Sequence, residues 1–330
     1  MNPECLKIRG LKVVFYSGEG FIKAVEGVDL DVCEGECVAI VGESGCGKSV
    51  TGLSMMRLLS SPPAIWRADE MTYLSRSGEK LDLINAAESR LEKLRGDEIS
   101  MIYQDPSSAL NPVMTIGAQI EEIYKYHTGL SKKEAREAGI EMLKRVGIPA
   151  PEKRYDQFPH ELSGGMKQRV LIAMAMALKP RLLIADEPTT ALDVTIQAQI
   201  LSLLSELCRK EGTALVMITH DLGVVRSIAD RVYVMYCGKI MEQGTCAEIL
   251  DSPAHSYTKG LIKAIPTLGE RMKRFYQIPG NVPSPAAKPT GCYFSNRCDQ
   301  CGEKCHEKTP PLRGIPDNPE HKFRCWRNVK

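Results

Sequence analysis

The sequence lacks three features that would each place it in a particular class of protein. Its 43 basic and 41 acidic residues leave a formal net charge of +2, so no strong field favours nucleic acid or a bare membrane surface. Its longest apolar run, Val170 to Leu178, is far too short to span a bilayer. Its first residues lack the apolar core of a signal peptide. These absences predict a cytoplasmic protein that reaches a membrane only through partner subunits.

Cysteine, in contrast, is frequent, with 12 residues in a chain of 330. The chain is long enough for one large domain or two with ample core. Seven cysteines lie before residue 250 among apolar neighbours, which is typical of reduced core thiols in a cytosolic protein. The other five fall between Cys292 and Cys325 and require a separate explanation.

The most informative segment of the chain fits the phosphate-loop pattern G-x-x-x-x-G-K-[ST]. A buried strand is predicted before it, at 37–41, and a helix after it, at 50–59. Strand, glycine loop and helix together present unpaired N–H groups to an anion, so the segment predicts a nucleotide site. A glycine turn in an ordinary α/β protein is the alternative. The residues expected to contact nucleotide are Gly42, Glu43, Ser44, Gly45, Cys46, Gly47, Lys48, Ser49 and Val50.

Two carboxylates end a second apolar strand, Leu182 to Glu187. In a chain with a phosphate loop, a carboxylate at a strand tip holds Mg²⁺, which predicts that role for Asp186. The next residue, Glu187, would polarise a water molecule for attack on the γ-phosphate. A solvated acidic strand end is the competing explanation.

Two further parts of the chain have both a functional and a structural interpretation. Ser163, Gly164 and Gly165 precede an apolar helix, and they either form a second anion-binding helix start or simply cap a buried helix. His220 follows the buried strand Ala214 to Thr219, at the rim where parallel strands place ligands, although a lone histidine is more often structural.

An aromatic residue upstream of the phosphate loop is a candidate for base stacking. Phe15 or Tyr16 would stack on an adenine ring, or would be an ordinary strand aromatic.

In this order the segments resemble the nucleotide-binding subunit of an ABC transporter. The motifs are Gly42–Ser49 (Walker A), Gln104 (Q-loop), Leu162–Gln168 (signature), Leu182–Glu187 (Walker B), Ala191–Asp193 (D-loop) and His220 (H-loop). Segments resembling those of oligopeptide and dipeptide importers are Gln104–Pro112, Thr189–Thr195, His255–Thr258 and the C-terminal extension with Gly291-Cys292.

The resemblance implies an α/β fold, the P-loop NTPase cassette, with a RecA-like core, an antiparallel β subdomain and a helical subdomain. We expect the cassette at 1–250, its helical subdomain at about 107–160, and a small Cys-rich extension at 251–330. The sequence itself supports a helical insert, because Ser131 and Glu134 form a capping box ahead of an amphipathic helix.

The resemblance also implies a mechanism. Two cassettes, identical or different, would trap two ATP molecules, each held by one chain's Walker A and the partner's Ser163, Gly164 and Gly165. Lys48 and Mg²⁺, the latter held by Ser49, Asp186 and Gln104, would disperse phosphate charge. Glu187 would be the general base, and His220 would contact the γ-phosphate. Gln104 would link this chemistry to membrane subunits.

The expected function is therefore ATP hydrolysis that powers import of di- or oligopeptides. Expected partners are transmembrane permease subunits, a second ATP-binding subunit and, indirectly, a substrate-binding protein, with no nucleic acid. The chain would lie on the inner face of the cell membrane. The alternatives are an importer of nickel or another small solute, which shares most of these motifs, and a soluble ABC ATPase acting on nucleic acid.

The five clustered cysteines predict a metal site rather than disulfides, because the chain is expected to be cytosolic. Four thiolates suit zinc or an iron–sulfur cluster, and free thiols are the third possibility. The importer subfamily pattern falls on Cys292, Cys298, Cys305 and Cys325 and implies a [4Fe-4S] cluster. Cys301 is an extra thiol that is able to substitute for one of the four.

Overall fold

A computed structural model describes residues 3–18, 20–190, 192–265 and 276–327. Both strands and helices are present in these ranges. The strands are β1 (Glu4–Ser17), β2 (Gly20–Cys33), β3 (Cys37–Val41), β4 (Ala64–Arg67), β5 (Glu70–Leu74), β6 (Lys80–Asp82), β7 (Ile99–Ile102), β8 (Leu182–Asp186), β9 (Ala214–Thr219), β10 (Arg231–Tyr236), β11 (Lys239–Thr245), β12 (Arg313–Ile315) and β13 (Asn318–Phe323).

The helices are mostly short. They are α1 (Lys48–Met55), α2 (Glu88–Leu94), α3 (Pro106–Ala109), α4 (Ile116–Thr128), α5 (Lys132–Arg145), α6 (Pro151–Tyr155), α7 (Gly164–Met176), α8 (Val194–Glu211), α9 (Leu222–Ile228), α10 (Cys246–Asp251), α11 (Ser256–Lys263) and α12 (Glu303–Glu307). Among the described residues, no helix is both long and apolar enough to cross a bilayer.

The chain forms two compact units. Unit 1 contains the chain up to Cys5, Val32–Glu36 and Tyr73–Met217. Its strands β7 and β8 are parallel and pair from Ile99 and Leu182 to Ile102 and Ala185. Helices α3 to α6 supply the predicted helical insert, and the expected capping box at the start of α5 is present.

Unit 2 contains Leu6–Asp31, Cys37–Thr72 and the chain from Ile218 onward. One of its sheets has the order β12-β13-β11-β10-β3, in which β3 and β10 are parallel. A second sheet has the order β2-β1-β5, with β4 also paired to β1. The C-terminal extension therefore adds strands to the sheet that carries the phosphate loop. The division at residue 250 remains a prediction.

Three local predictions differ from the structure. The alternation over residues 6–15 predicts an edge strand, but β1 has neighbours on both sides, because alternating burial reports one buried face and not the number of paired edges. The sequence of residues 21–32 predicts a strand pair, but these residues belong to one long strand, β2. Helix α1 ends at Met55 rather than at residue 59, since Arg57 has a φ of +52°, which no α-helix continues through.

Candidate functional site

The phosphate loop, residues 42–49, connects strand β3 to helix α1 in unit 2. Glycine is required at two of its positions for steric reasons. A Cβ on Gly42 would lie 2.1 Å from the carbonyl oxygen of Met235. A Cβ on Gly47 would lie 2.5 Å from the carbonyl oxygen of Ala24, and its φ of +104° also disfavours any side chain. Packing against these two carbonyls fixes the path of the loop.

The side chain of Lys48 donates hydrogen bonds back to the start of the phosphate loop. Its Nζ donates to the carbonyl oxygens of Gly42 at 2.9 Å and Glu43 at 3.1 Å, and the residue is only 5 % exposed. Ser44 and Gly45, at the tip, are exposed, so their backbone is accessible to a ligand. Ser49 and Val50 continue into the first turn of α1, where the positive end of the helix dipole favours an anion.

Cys46 lies inside the loop but is not set up as a nucleophile. Burial raises the pKa of its thiol to about 11, an effect that the neighbouring Lys48 only partly opposes. A protonated thiol is unreactive, so the residue acts as a packing group beneath the loop.

The two candidate stacking residues differ in exposure. Tyr16 is 59 % exposed and its ring lies 5.5 Å from that of Phe21, whereas Phe15 is half-buried. A separate cavity of about 300 Å³ adjoins the loop tip at Ser44 and Gly45. Strand β2 lines it at Ile22 to Ala24, together with the Pro-rich segment Val282 to Pro285. Tyr16 is the better placed of the two aromatics for a ligand outside the core.

In unit 1, the ends of two parallel strands bring predicted catalytic residues together. Strand β8 is fully buried and ends at Asp186, which is 6 % exposed. The Oε2 atom of the next residue, Glu187, accepts hydrogen bonds from Thr190 Oγ1 at 3.0 Å and from Gln104 Nε2 at 3.3 Å. Gln104 follows strand β7, the parallel neighbour of β8, and this adjacency explains the contact.

Glu187 also has a strained backbone. Its φ of +44° is left-handed, a conformation that costs a non-glycine residue about 1–3 kcal/mol. Such strain concentrates at functional sites, where the surrounding structure imposes it. Strain and two hydrogen bonds together give this carboxylate a defined position.

The signature segment begins helix α7. Ser163 is its N-cap, with Oγ accepting the Met166 N–H at 3.4 Å, and Gly164 and Gly165 are the first helical residues. Further along unit 1, Asp193 caps α8 by accepting the Ile196 N–H at 2.9 Å. Ala191, in the predicted D-loop, lies outside the described residues.

His220 follows strand β9, as expected, and is exposed. The next residue, Asp221, accepts the Gly223 N–H at 2.8 Å and so starts helix α9. The histidine therefore stands at the junction between a buried strand and a capped helix. Its predicted contact with a γ-phosphate remains a prediction.

Two cysteines of the extension, Cys298 and Cys305, pack against the buried cluster that contains Cys292. Cys292 is 7 % exposed, and burial raises its pKa to about 11, with further increases from Cys305, Cys325 and Cys298. The Sγ of Cys301 instead lies 3.3 Å from His306 Nε2. All twelve cysteines are described, and none forms a disulfide.

A metal site at these cysteines is not supported by the structure. No group of three or more cysteine, histidine or acidic residues in the described ranges is arranged to hold a metal ion. The expected [4Fe-4S] cluster, and zinc as its alternative, thus lack an assembled ligand set in the described ranges.

Sequence reasoning missed a group of residues that hold the phosphate loop from outside. The guanidinium of Arg297 binds both carboxylate oxygens of Glu43, at 2.7 and 3.0 Å. The Tyr257 hydroxyl accepts the backbone N–H of Glu43 at 2.9 Å. Neither partner is close to the loop in sequence, and no local pattern indicates such a contact.

Two family models match parts of the chain. Residues 25–190 match the ABC transporter family, and residues 241–305 match the C-terminal region of oligopeptide/dipeptide transporters. The chain is 48 % identical over 332 residues to a putative peptide import ATP-binding protein of Brucella melitensis, covering 98 % of each. It is 47 % identical over 307 residues to an oligopeptide transport ATP-binding protein of Bacillus subtilis, covering 93 % of this chain and 92 % of the relative.

A solved structure is similar as well. It is a dimeric ATP-binding cassette in a post-hydrolysis state with ADP and Pi, at a TM-score of 0.63 and 30 % identity, covering 73 % of this chain and 98 % of that one. The predicted cassette fold is therefore confirmed.

Proposed function

The chain belongs to the ATP-binding proteins of ABC transporters, in the oligopeptide and dipeptide branch, and we propose that it hydrolyses ATP to power peptide import. The likeness to peptide import relatives extends over almost the whole chain, including the C-terminal region particular to that branch. This likeness favours peptides over nickel and other solutes as the transported substrate. It also favours transport over an activity on nucleic acid.

The observation that carries the hydrolytic role is the restrained carboxylate of Glu187. Its hydrogen bonds with Thr190 and Gln104 hold it in one orientation, which suits it to accept a proton from an attacking water molecule. Gln104 connects this carboxylate to the exposed segment that follows β7, which suits it to report the state of the site to a membrane subunit.

The phosphate loop and α1 would bind the phosphates. On binding ATP, Lys48 would exchange its two loop carbonyls for the β- and γ-phosphate oxygens, and His220 would contact the γ-phosphate. The Ser49 hydroxyl, the Asp186 carboxylate and the Gln104 amide would supply oxygen ligands of the kind that Mg²⁺ prefers. When bound, the ion neutralises charge that develops on the transferred phosphoryl group.

A second ATP-binding subunit would complete the site. The start of α7, with Ser163 as N-cap and two glycines behind it, presents N–H groups suited to a γ-phosphate on the partner chain. The pair would sit on permease subunits at the inner face of the membrane. A substrate-binding protein would deliver the peptide from outside.

Hydrolysis is tested on the purified full-length chain with Glu187→Gln and Lys48→Ala. General-base catalysis contributes about 10²–10⁴-fold, so Glu187→Gln should lose about that factor in kcat while still binding ATP. Lys48→Ala should bind ATP weakly. Glu206→Gln is the control, because its partner Lys210 and its own side chain are exposed. Wild-type hydrolysis by Glu187→Gln would refute the general-base role.

Dimerisation is measured on the same Glu187→Gln protein by light scattering with and without ATP and Mg²⁺. A mass that doubles only with nucleotide is expected for a homodimer. If only monomer appears, mixing with the second ATP-binding subunit should give a heterodimer, and failure of both would refute the nucleotide sandwich.

Transport is tested in cells that lack this chain and are complemented with wild type or Glu187→Gln. Uptake of a labelled peptide mixture should return only with the wild type. Parallel uptake of ⁶³Ni²⁺ separates the alternatives, since restored nickel uptake without peptide uptake would overturn the peptide assignment.

We also propose that Cys292, Cys298, Cys305 and Cys325 bind an iron–sulfur cluster once their side chains adjust. Support comes from the spacing of four thiols, a donor set suited to iron, and from the packing of Cys298 and Cys305 against the buried cluster that contains Cys292. Iron and sulfide analysis after anaerobic purification tests this, with Cys301→Ser as the matched control. Bound zinc, or no metal, would overturn it.

A further inference from the structure

Arg297 belongs to the C-terminal extension, yet its side chain is only 4 % exposed. Its guanidinium binds Glu43 through two parallel hydrogen bonds, Nη1 to Oε2 at 2.7 Å and Nη2 to Oε1 at 3.0 Å. A bidentate pair fixes both distance and orientation, which a lysine could not reproduce. Arg297 also contacts the Tyr236 hydroxyl at 3.3 Å and the backbone oxygens of Ile278 and Pro279 at 3.3 and 3.1 Å.

Glu43 is part of the phosphate loop, so this pair reaches the nucleotide-binding backbone directly. The N–H of Glu43 donates to the Tyr257 hydroxyl, and its carbonyl accepts from Lys48. The side chain, the backbone N–H and the backbone carbonyl of Glu43 are therefore all hydrogen-bonded. The next two residues, Ser44 and Gly45, are the exposed tip.

The support behind Arg297 is a packed aromatic group. The Tyr236 ring lies 4.6 Å from that of Tyr257 and 5.5 Å from that of Phe294. The guanidinium carbon lies 5.8 Å from the Tyr236 ring and 5.9 Å from the Phe294 ring, within range of cation–π attraction. All three aromatic residues are at most 2 % exposed, so the arginine is anchored in a core.

We propose that Arg297 is a positioning residue for ATP binding, which sets the shape of the phosphate loop through Glu43. The inference rests on the proposed ATPase function and extends it to the extension of the chain. It assigns no contact between Arg297 and nucleotide. Without the guanidinium, the Glu43 carboxylate loses its partner and the backbone before Ser44 is no longer held in one geometry.

The test is steady-state ATP hydrolysis by the purified full-length chain, with KM and kcat measured separately. Because a displacement of about 1 Å can cost up to 10²-fold, we expect Arg297→Ala to raise KM for ATP about tenfold while kcat changes less than about twofold. Arg297→Lys keeps the positive charge but cannot form the bidentate pair. Its KM should therefore lie between those of the wild type and Arg297→Ala. Arg226→Ala is the control, since its pair with Asp251 is exposed at 61 % and 57 %.

A double-mutant cycle shows whether the effect passes through Glu43. Arg297→Ala combined with Glu43→Gln should raise KM no further than the more severe single variant. Additive effects of the two changes, or an unchanged KM in both Arg297 variants, would overturn the proposal. Circular dichroism melting of each variant checks folding, and Arg297→Lys supplies the kinetic answer if Arg297→Ala is unfolded.

The two proposals fail in different ways. If the wild-type chain hydrolyses no ATP, alone or with its partner subunits, the proposed function is wrong. If the wild type and Arg226→Ala hydrolyse ATP with the same KM as Arg297→Ala, only the positioning role is wrong.

Discussion

Replacing Gly47 with alanine should destabilise the protein more than the same replacement at a left-handed glycine that has free space around it. Two costs combine at this position. The φ of +104° is unfavourable for any L residue, and the new Cβ would lie 2.5 Å from the carbonyl oxygen of Ala24 and 2.9 Å from Cε of Met235. The methionine end can turn away, but the carbonyl belongs to strand β2 and cannot move without disturbing its sheet.

Gly129→Ala is the matched control. Gly129 has a φ of +68° at the C-cap of α4, and a Cβ added there would have nothing within 4 Å. Left-handed strain costs about 1–2 kcal/mol, and this is the whole expected cost at Gly129. Overpacking adds about 1–3 kcal/mol at Gly47, so the total there is about 2–5 kcal/mol.

The assays are thermal unfolding followed by circular dichroism and titration with a fluorescent ATP analogue. Each kcal/mol lowers the melting temperature of a large domain by about 2–4 °C. Gly47→Ala should show the larger drop and lose nucleotide binding, whereas Gly129→Ala should bind nucleotide normally. Equal melting temperatures and equal affinities in the two variants would refute the steric argument for the loop.

Two further predictions concern helix caps. Burial lowers the pKa of His255 to about 4, and its neutral Nδ1 accepts the Tyr257 N–H at 3.0 Å. Its contribution to stability is therefore complete above its ordinary pKa of 6.5 and is lost as the pH falls from 6.5 towards 4, by up to about 3 kcal/mol. Urea unfolding at several pH values should show this slope, and His255→Asn should flatten it; an unchanged slope would contradict the assignment. Ser163→Ala and Ser131→Ala each remove an N-cap worth about 1 kcal/mol, but only Ser163→Ala should also lower ATP hydrolysis. Equal activity in the two serine variants would argue against the signature role.

The phosphate loop could be predicted from sequence because its chemistry is local. Strand, glycines, lysine and helix start lie close together along the chain, and each residue type has a direct physical reason. The pairing of Gln104 with Glu187 could be predicted only in part. Their order suggests a shared role, but the contact depends on β7 and β8 being adjacent in the sheet.

Other features depend on packing that no local pattern contains. Arg297 lies 254 positions from Glu43, and a lone arginine before a cysteine suggests nothing about a phosphate loop. The interior position of β1 and the early end of α1 escape prediction for a similar reason. Periodicity describes which face of an element is buried, but not what lies beside it.

The extension and strand β3, which leads into the phosphate loop, share one hydrophobic core, so the extension is part of the structure that supports nucleotide binding. Cys292 and Phe294 pack in the same buried cluster as Ala39 and Val41 of β3, the strand that leads into the loop. Strand β13 pairs with β11, so the extension also continues the sheet. Because β3 and the extension stabilise each other, a change at the clustered cysteines would reach the loop through packing as well as through Arg297. Nucleotide binding and the chemical state of those thiols therefore depend on the same folded unit.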